Sequence, residues 1–219
     1  MSSTFTALRL PDYRKYLAAQ TGASTAMWMQ RVVQDWLVLQ LTGSSGLAIG
    51  IVTALQFLPF LLVSPWAGLL SDRMSRRWLL VITSTSLIGL SVTMAALTLT
   101  GLITIAWIYA LALVSGIAAA IDTPARQALL GDVVGTDDMV NAVGLNSMGF
   151  NLSRIVGPSL AGVLIAVLGT WEVFALTAVI FTVSVALLLS LRSVEEPHLE
   201  HRSEQRPTLR QGLQFIVSD

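Results

Sequence analysis

Charged positions along this chain fall in clusters, and long apolar stretches separate them. Trp36 to Ser71 and Trp78 to Ile121 hold no charged residue at all. Each is interrupted once, by TGSSG at Thr42 to Gly46 and by TLTGLIT at Thr98 to Thr104. A helix that crosses a bilayer needs about 20 mostly apolar residues, so each stretch predicts two spans and a short turn. Across the chain the pattern predicts helices over Tyr16 to Leu41, Leu47 to Leu70, Trp78 to Leu99, Ile103 to Thr123, Met139 to Leu168 and Trp171 to Leu191. Lipid cannot satisfy exposed backbone groups, which leaves helices or a closed barrel. Barrel strands would alternate in polarity over about 10 residues, and these runs are longer and continuous.

Composition agrees with the pattern. Of 219 residues, 54% are hydrophobic and 12% charged, and the mean hydropathy is +0.71. A soluble domain is usually about a quarter charged. The expected class is therefore an all-α polytopic membrane protein with six transmembrane helices, embedded in a lipid bilayer. The absence of cysteine excludes disulfides and thiolate metal sites. A net charge of zero gives no reason to expect nucleic acid as a partner. The opening MSSTFTALRLPDYRKYL lacks the cleavable signature of a secretory signal, so the first span is expected to be retained.

Basic residues set the orientation. All thirteen except Arg31 and Arg154 lie in the N-terminal arm, the second loop, the fourth loop or the C-terminal segment. The opposite loops carry Glu172 as their only charge. Basic loops stay cytoplasmic, so both ends are expected inside the cell, at a bacterial cytoplasmic membrane. Residues 1–15 then form a cytoplasmic arm, 16–191 the bundle, and 192–219 a polar cytoplasmic linker. In that linker Leu209, Leu213, Ile216 and Val217 fall at helical spacing behind Thr208, which predicts the start of an amphipathic helix at the membrane surface. The chain stops at Asp219 without a closing element, as the first half of a longer protein would.

Two motifs carry the functional signal. Gly68, Asp72, Arg73, Arg76 and Arg77 follow G-x-x-x-D-R-x-G-R-R, with Ser75 at the second glycine. On the fifth predicted helix Gly149, Ser153, Gly157 and Ala161 recur every four residues, giving one face of small side chains on which another helix can approach closely. Pro158, beside Gly157, removes a backbone hydrogen bond and permits a bend.

These residues, with PDYRKYL, WLVLQLTGSS and the PARQAL-to-GFNLSRIVGPSLAG stretch, resemble the major facilitator superfamily. The similarity is to its bacterial branch of enterobactin-exporter and multidrug-efflux proteins. It covers essentially the whole chain, and implies that six helices, as 3+3 inverted repeats, are half of a twelve-helix transporter. It also implies that the Gly68–Arg77 loop latches the two halves on the cytoplasmic side. A relay from Asp72 through Arg76 would reach an acid at the end of helix 4. Asp122 is placed for that, with Arg126 one turn beyond, although DTPARQ equally fits a simple helix cap. Gly144, Gly157, Pro158, Ala161 and Gly162 approximate the exporter signature of helix 5, with Ser153 and Ala161 replacing glycines. The missing C-terminal half would be a partner.

Ionisable residues inside spans are functional candidates by default. Arg31 and Asp35 are four apart and share a helix face. At about 1.5 Å per residue, Arg31 stands about 22 Å above Tyr16 and Arg154 about 21 Å above Val140, a similar depth. Gln56 and Asn146 add polar groups to helices 2 and 5. Arg31 and Arg154 are candidates for contact with an anionic or polar group of a small-molecule substrate, and Asp35 for the proton-carrying acid. The alternative for Arg31–Asp35 is a structural pair near the outer interface, relieved by snorkelling. His198 and His201 lie in the linker, so no metal site is expected in the spans. No G-x-x-x-x-G-K-[ST] occurs, nor a G-x-S-x-G elbow. The expected protein is therefore no enzyme and uses no cofactor. It is a secondary transporter, driven by a proton gradient, exporting a drug-like molecule or siderophore. A nutrient symporter of the same fold is the alternative, and a membrane sensor or enzyme a more distant one.

Overall fold

The computed structural model describes residues 3–136 and 138–191; within these, side chains are described outside 3–5 and 64–73. A short 3-10 helix, Ser3–Arg9, precedes six α-helices: α1 Pro11–Thr42, α2 Gly46–Arg73, α3 Arg76–Leu99, α4 Ile105–Val134, α5 Met139–Val167 and α6 Thr170–Leu189. The linker and its expected amphipathic helix lie outside the described residues.

Local chemistry explains the boundaries. Proline at the start of α1 has its φ preset for a helix, and Leu10 before it is extended. The helix therefore begins at Pro11 rather than Tyr16, and takes in the last part of the expected arm. It ends at Gly43, whose φ of 62° is left-handed and whose N–H reaches Leu39 O, a glycine-terminated helix end. Ser45 then caps α2, its Oγ accepting from Ala48 N at 3.3 Å. Helix α4 departs most from expectation. It runs past Thr123 to Val134, with Pro124 inside it, and stops at Gly135. DTPARQ is thus helix interior, and Asp122 caps nothing.

Helix α1 packs on α5 and α6, α2 on α4, and α3 on both α4 and α6. The core is layered along the bundle. At the end holding the α2–α3 turn, Tyr13, Tyr16, Leu80, Leu129 and Leu188 are buried together. In the middle lie Ala23, Ala26, Leu87 and Phe181, and at the far end Met29, Val33, Met94, Ile108 and Phe174. The tyrosines keep their hydroxyls bonded: Tyr13 donates to Ala142 O at 3.0 Å and Tyr16 to Arg126 O at 2.9 Å. Outward, the bundle shows Leu47, Leu61, Val140, Ile155 and Val167, each well exposed. So much apolar surface on a water-soluble domain would drive association. Here it suits lipid. Among the described residues five helices, α2 to α6, are long and apolar enough to cross a membrane.

Candidate functional site

The small-residue face of α5 is where α1 comes closest. A Cβ on Gly157 would stand 2.8 Å from Trp28 Cβ and 2.9 Å from Thr25 O, and one on Gly149 would stand 2.7 Å from Thr21 Oγ1. Between them Ser153 Oγ donates to Thr21 O at 3.0 Å and accepts from Thr25 Oγ1 at 3.0 Å. Ala161 is fully buried. Serine in place of glycine therefore supplies a polar contact without holding the helices apart. Gly144 and Gly162 have open space where a Cβ would stand, so they take no part in this approach. The equivalent close contact of α2 with α4 is at Gly116, where a Cβ would meet Gln56 O and Leu55 O at 2.7 Å. Nothing in the sequence reading singled out Gly116.

Beside this seam lies the arginine cluster. The Arg31 guanidinium stands 4.8 Å from the Trp28 ring centroid and 4.6 Å from that of Phe57. Arg154 reaches the same Trp28 ring at 5.6 Å, and Phe150 meets its edge at 6.5 Å. Arg31 and Arg154 thus stand around one indole, that of Trp28. Arg31 and Asp35 make no ion pair. Among the described residues the ion pairs are Lys15–Asp12, Arg76–Asp132 and Arg126–Asp122. Asp35 instead turns to a groove of about 610 Å³ with Trp36, Gln40 and Gly162, where its Oδ1 has no partner. Beside Arg31, Gln56 Nε2 donates to Gln34 Oε1 at 2.9 Å and Ser91 Oγ to Gln30 Oε1 at 2.9 Å, a buried polar layer joining α1, α2 and α3.

A second charged cluster sits deeper, toward the α2–α3 turn. Asp122 holds Arg126 through both carboxylate oxygens, one on Nε and one on Nη2, and also accepts from Thr83 Oγ1 at 2.7 Å. Four residues apart on one helix, the two side chains meet as geometry allows. Arg126 Nη1 is buried with no partner. Beside this pair opens a cavity of about 300 Å³ between α1, α4 and α5, lined also by Gln20, Asn146 and Phe150.

The contact expected between Arg76 and Asp122 is not made. Arg76 donates to Asp132 Oδ1 at 2.6 Å and to Ala128 O at 3.0 Å, ten residues beyond Asp122 on the extended α4. Asp122 is occupied by Arg126 and Thr83, so Arg76 and Asp122 are not brought together. Arg77 caps the end of α6 by donating to Leu189 O and Leu191 O. The side chains of Asp72 and Arg73, and the surroundings of Gly68, lie outside the described residues. Asp132 was missed because α4 had been ended too early. Its signal was present: Ile121, Ala125, Leu129 and Val133 continue the apolar spacing of four.

A bundle of six long helices, lipid-suited outside and threaded by polar clusters inside, is that of a polytopic membrane transporter. The family model for the transmembrane secretion effector family matches residues 2–218, and the chain belongs to that family, in the efflux branch of the major facilitator superfamily. The staphyloferrin A transporter of Staphylococcus aureus is 33% identical over 165 residues, covering 75% of this chain and 41% of its own length. The multidrug efflux pump Tap of Mycobacterium tuberculosis is 30% identical over 203 residues, with 84% and 46% covered. The uncharacterized MFS-type transporter YfiS of Bacillus subtilis is 26% identical over 207 residues, with 91% and 48% covered. The chain thus spans less than half the length of these relatives.

Proposed function

We propose that this chain is the N-terminal half of a twelve-helix transporter that exports a small amphipathic compound in exchange for protons by alternating access. The observation that carries the reading is the crossed pairing of helices, α1 on α5 and α4 on α2, around α3 on α6. That exchange of partners between the first three helices and the last three supports a 3+3 inverted repeat, in which α1 would be the sixth span despite its charges. The basic residues at one end, with Glu172 at the other, support a cytoplasmic placement of both termini. The names of the siderophore and multidrug relatives support a small-molecule cargo.

In this reading Asp35 is the proton-carrying acid, since its Oδ1 is unpartnered beside an open groove. Arg31 and Arg154 face the cargo. Gly68, Asp72, Arg73, Arg76 and Arg77 form the cytoplasmic latch that closes against the second half, with Arg76 anchored on Asp132. Breaking the latch favours the inward-facing state. The test is dye or siderophore efflux from cells carrying the full-length protein, with the proton gradient intact and collapsed. Export predicts that accumulation rises on collapse and that Asp35→Asn behaves as though the gradient were already gone. Accumulation that falls on collapse identifies an importer, and undiminished coupled export by Asp35→Asn removes that residue from the proton path.

A further inference from the structure

Two cations from different helices meet at the end of α6. Lys15 on α1 donates its Nζ to Ser190 O at 3.0 Å, and Arg77 on α3 donates to Leu191 O at 3.1 Å and to Leu189 O. Both hold the same short stretch of backbone, where α6 ends packed against α1 and α3. A helix end leaves carbonyls without partners, and its negative dipole favours cations, so capping is one role of the pair. Capping does not use them up. An ammonium has three donors and a guanidinium five. Among the described residues Lys15 spends two, on Ser190 and on Asp12 Oδ1 at 3.3 Å, and Arg77 spends two on α6. The Lys15 side chain is 33% exposed and Arg77 is partly exposed, so the spare donors are within reach of a ligand at the surface.

Charge and surroundings decide what the ligand is. Among the described residues Asp12 pairs with Lys15, and Arg77 has no carboxylate partner. Lys15, Arg77 and Asp12 together leave one positive charge, which a singly charged anion balances. The neighbouring surface is apolar: Trp78, next to Arg77, is 55% exposed and Ile82, one turn along α3, is 50% exposed, with Leu189 exposed on α6. Tryptophan at a helix end suits the headgroup level of a bilayer, and the apolar side chains suit acyl chains. Basic pockets between helix ends hold the phosphates of anionic lipids. From this we infer that the ends of α1, α3 and α6 form a site for an anionic phospholipid of the phosphatidylglycerol type. Its phosphodiester lies on Lys15 and Arg77, and its chains run along Trp78 and Ile82. The site goes beyond the export reading and does not depend on the cargo or its direction of travel. It gives Arg77 a task on α6 besides its place in the latch.

The test uses the purified full-length protein in detergent, titrated with dioleoylphosphatidylglycerol or dioleoylphosphatidylcholine, with native mass spectrometry counting the lipids each molecule retains. The two lipids share a phosphodiester and chains, and differ in net charge. Lys15→Gln and Arg77→Gln should each weaken retention of phosphatidylglycerol about fivefold, the factor for one basic residue at a membrane surface, and leave retention of phosphatidylcholine unchanged. Arg9→Gln, which removes another exposed cation at the same end of the bundle, should leave both unchanged. Inorganic phosphate at the lipid concentration should not displace phosphatidylglycerol. Lys15→Gln keeps the Arg77 cap on α6, so it decides the matter by itself where Arg77→Gln does not fold. Retention that is indifferent to Lys15→Gln overturns the site. An equal loss in Arg9→Gln also overturns it, because the attraction is then that of the basic surface as a whole. Phosphatidylcholine held as tightly as phosphatidylglycerol removes the charge argument, and displacement by phosphate assigns the site to a soluble anion instead of a lipid.

Discussion

Arg31 on α1 and Arg154 on α5 place their guanidinium groups over the same indole, that of Trp28, at 4.8 Å and 5.6 Å from its centroid. Two cations at one ring would repel. A shared aromatic face, with Phe57 and Phe150 beside it, offsets part of that cost through the ring quadrupole. Trp28, whose Cβ packs on Gly157, thus ties the two arginines to the α1–α5 seam.

Trp28→Leu should therefore lower stability by about 2 kcal/mol from lost cation–π contact alone. Trp28→Phe, which keeps a ring face, should lose less. Thermal unfolding of the purified full-length protein checks the order. Equal losses would mean that the ring contributes only bulk.

Glycines on α5 should divide into two groups. Gly157→Ala forces a Cβ against Trp28 Cβ and the backbone oxygen of Thr25, and should cost about 1–3 kcal/mol as an overpacked contact. Gly144→Ala and Gly162→Ala meet open space and should be tolerated. Gly116→Ala, which meets two backbone oxygens of α2 at 2.7 Å, should be at least as severe as Gly157→Ala. Folded yield and melting temperature across the series decide it.

The six helices and the α1–α5 contact face could be read from the sequence because both rest on local rules. Apolar run length gives a span, and small residues every four positions give a close helix contact. What escaped reading required knowing how far a helix continues beyond the apolar run. Helix α4 keeps its inward spacing through Leu129 and Val133 but gains Arg126, Gln127 and Asp132, so hydropathy alone ended it at Thr123. That error hid Asp132 and made Asp122 look like a cap. The absence of an Arg31–Asp35 pair has a different cause. Residues four apart can meet, but here the Arg31 guanidinium lies against Trp28, three residues back on α1, and against Phe57 on α2.

Arg76 should couple energetically to Asp132 and not to Asp122. A double-mutant cycle with Arg76→Gln and Asp132→Asn should return a coupling of about 0.5–1 kcal/mol, as for a partly exposed pair. The cycle with Asp122→Asn should return none. Coupling to Asp122 of the same size would restore the relay expected from the family.

Asp122 and Arg126 should behave as a buried pair. Asp122→Asn strands a guanidinium that is 6% exposed and should destabilise by about 3–5 kcal/mol. Asp122→Leu with Arg126→Met together should restore much of that loss, since a matched apolar replacement is often neutral. Chemical or thermal unfolding of single and double variants measures the difference.

The central claim is proton-driven export by a protein of which this chain is half, and inverted membrane vesicles test it most directly. With the full-length protein present, acidifying the vesicle interior should drive a fluorescent drug or siderophore into the lumen. An ionophore that collapses the gradient should release it, and vesicles without the protein should show neither effect. Accumulation that is indifferent to the gradient, or that requires an acidic exterior, would contradict the account.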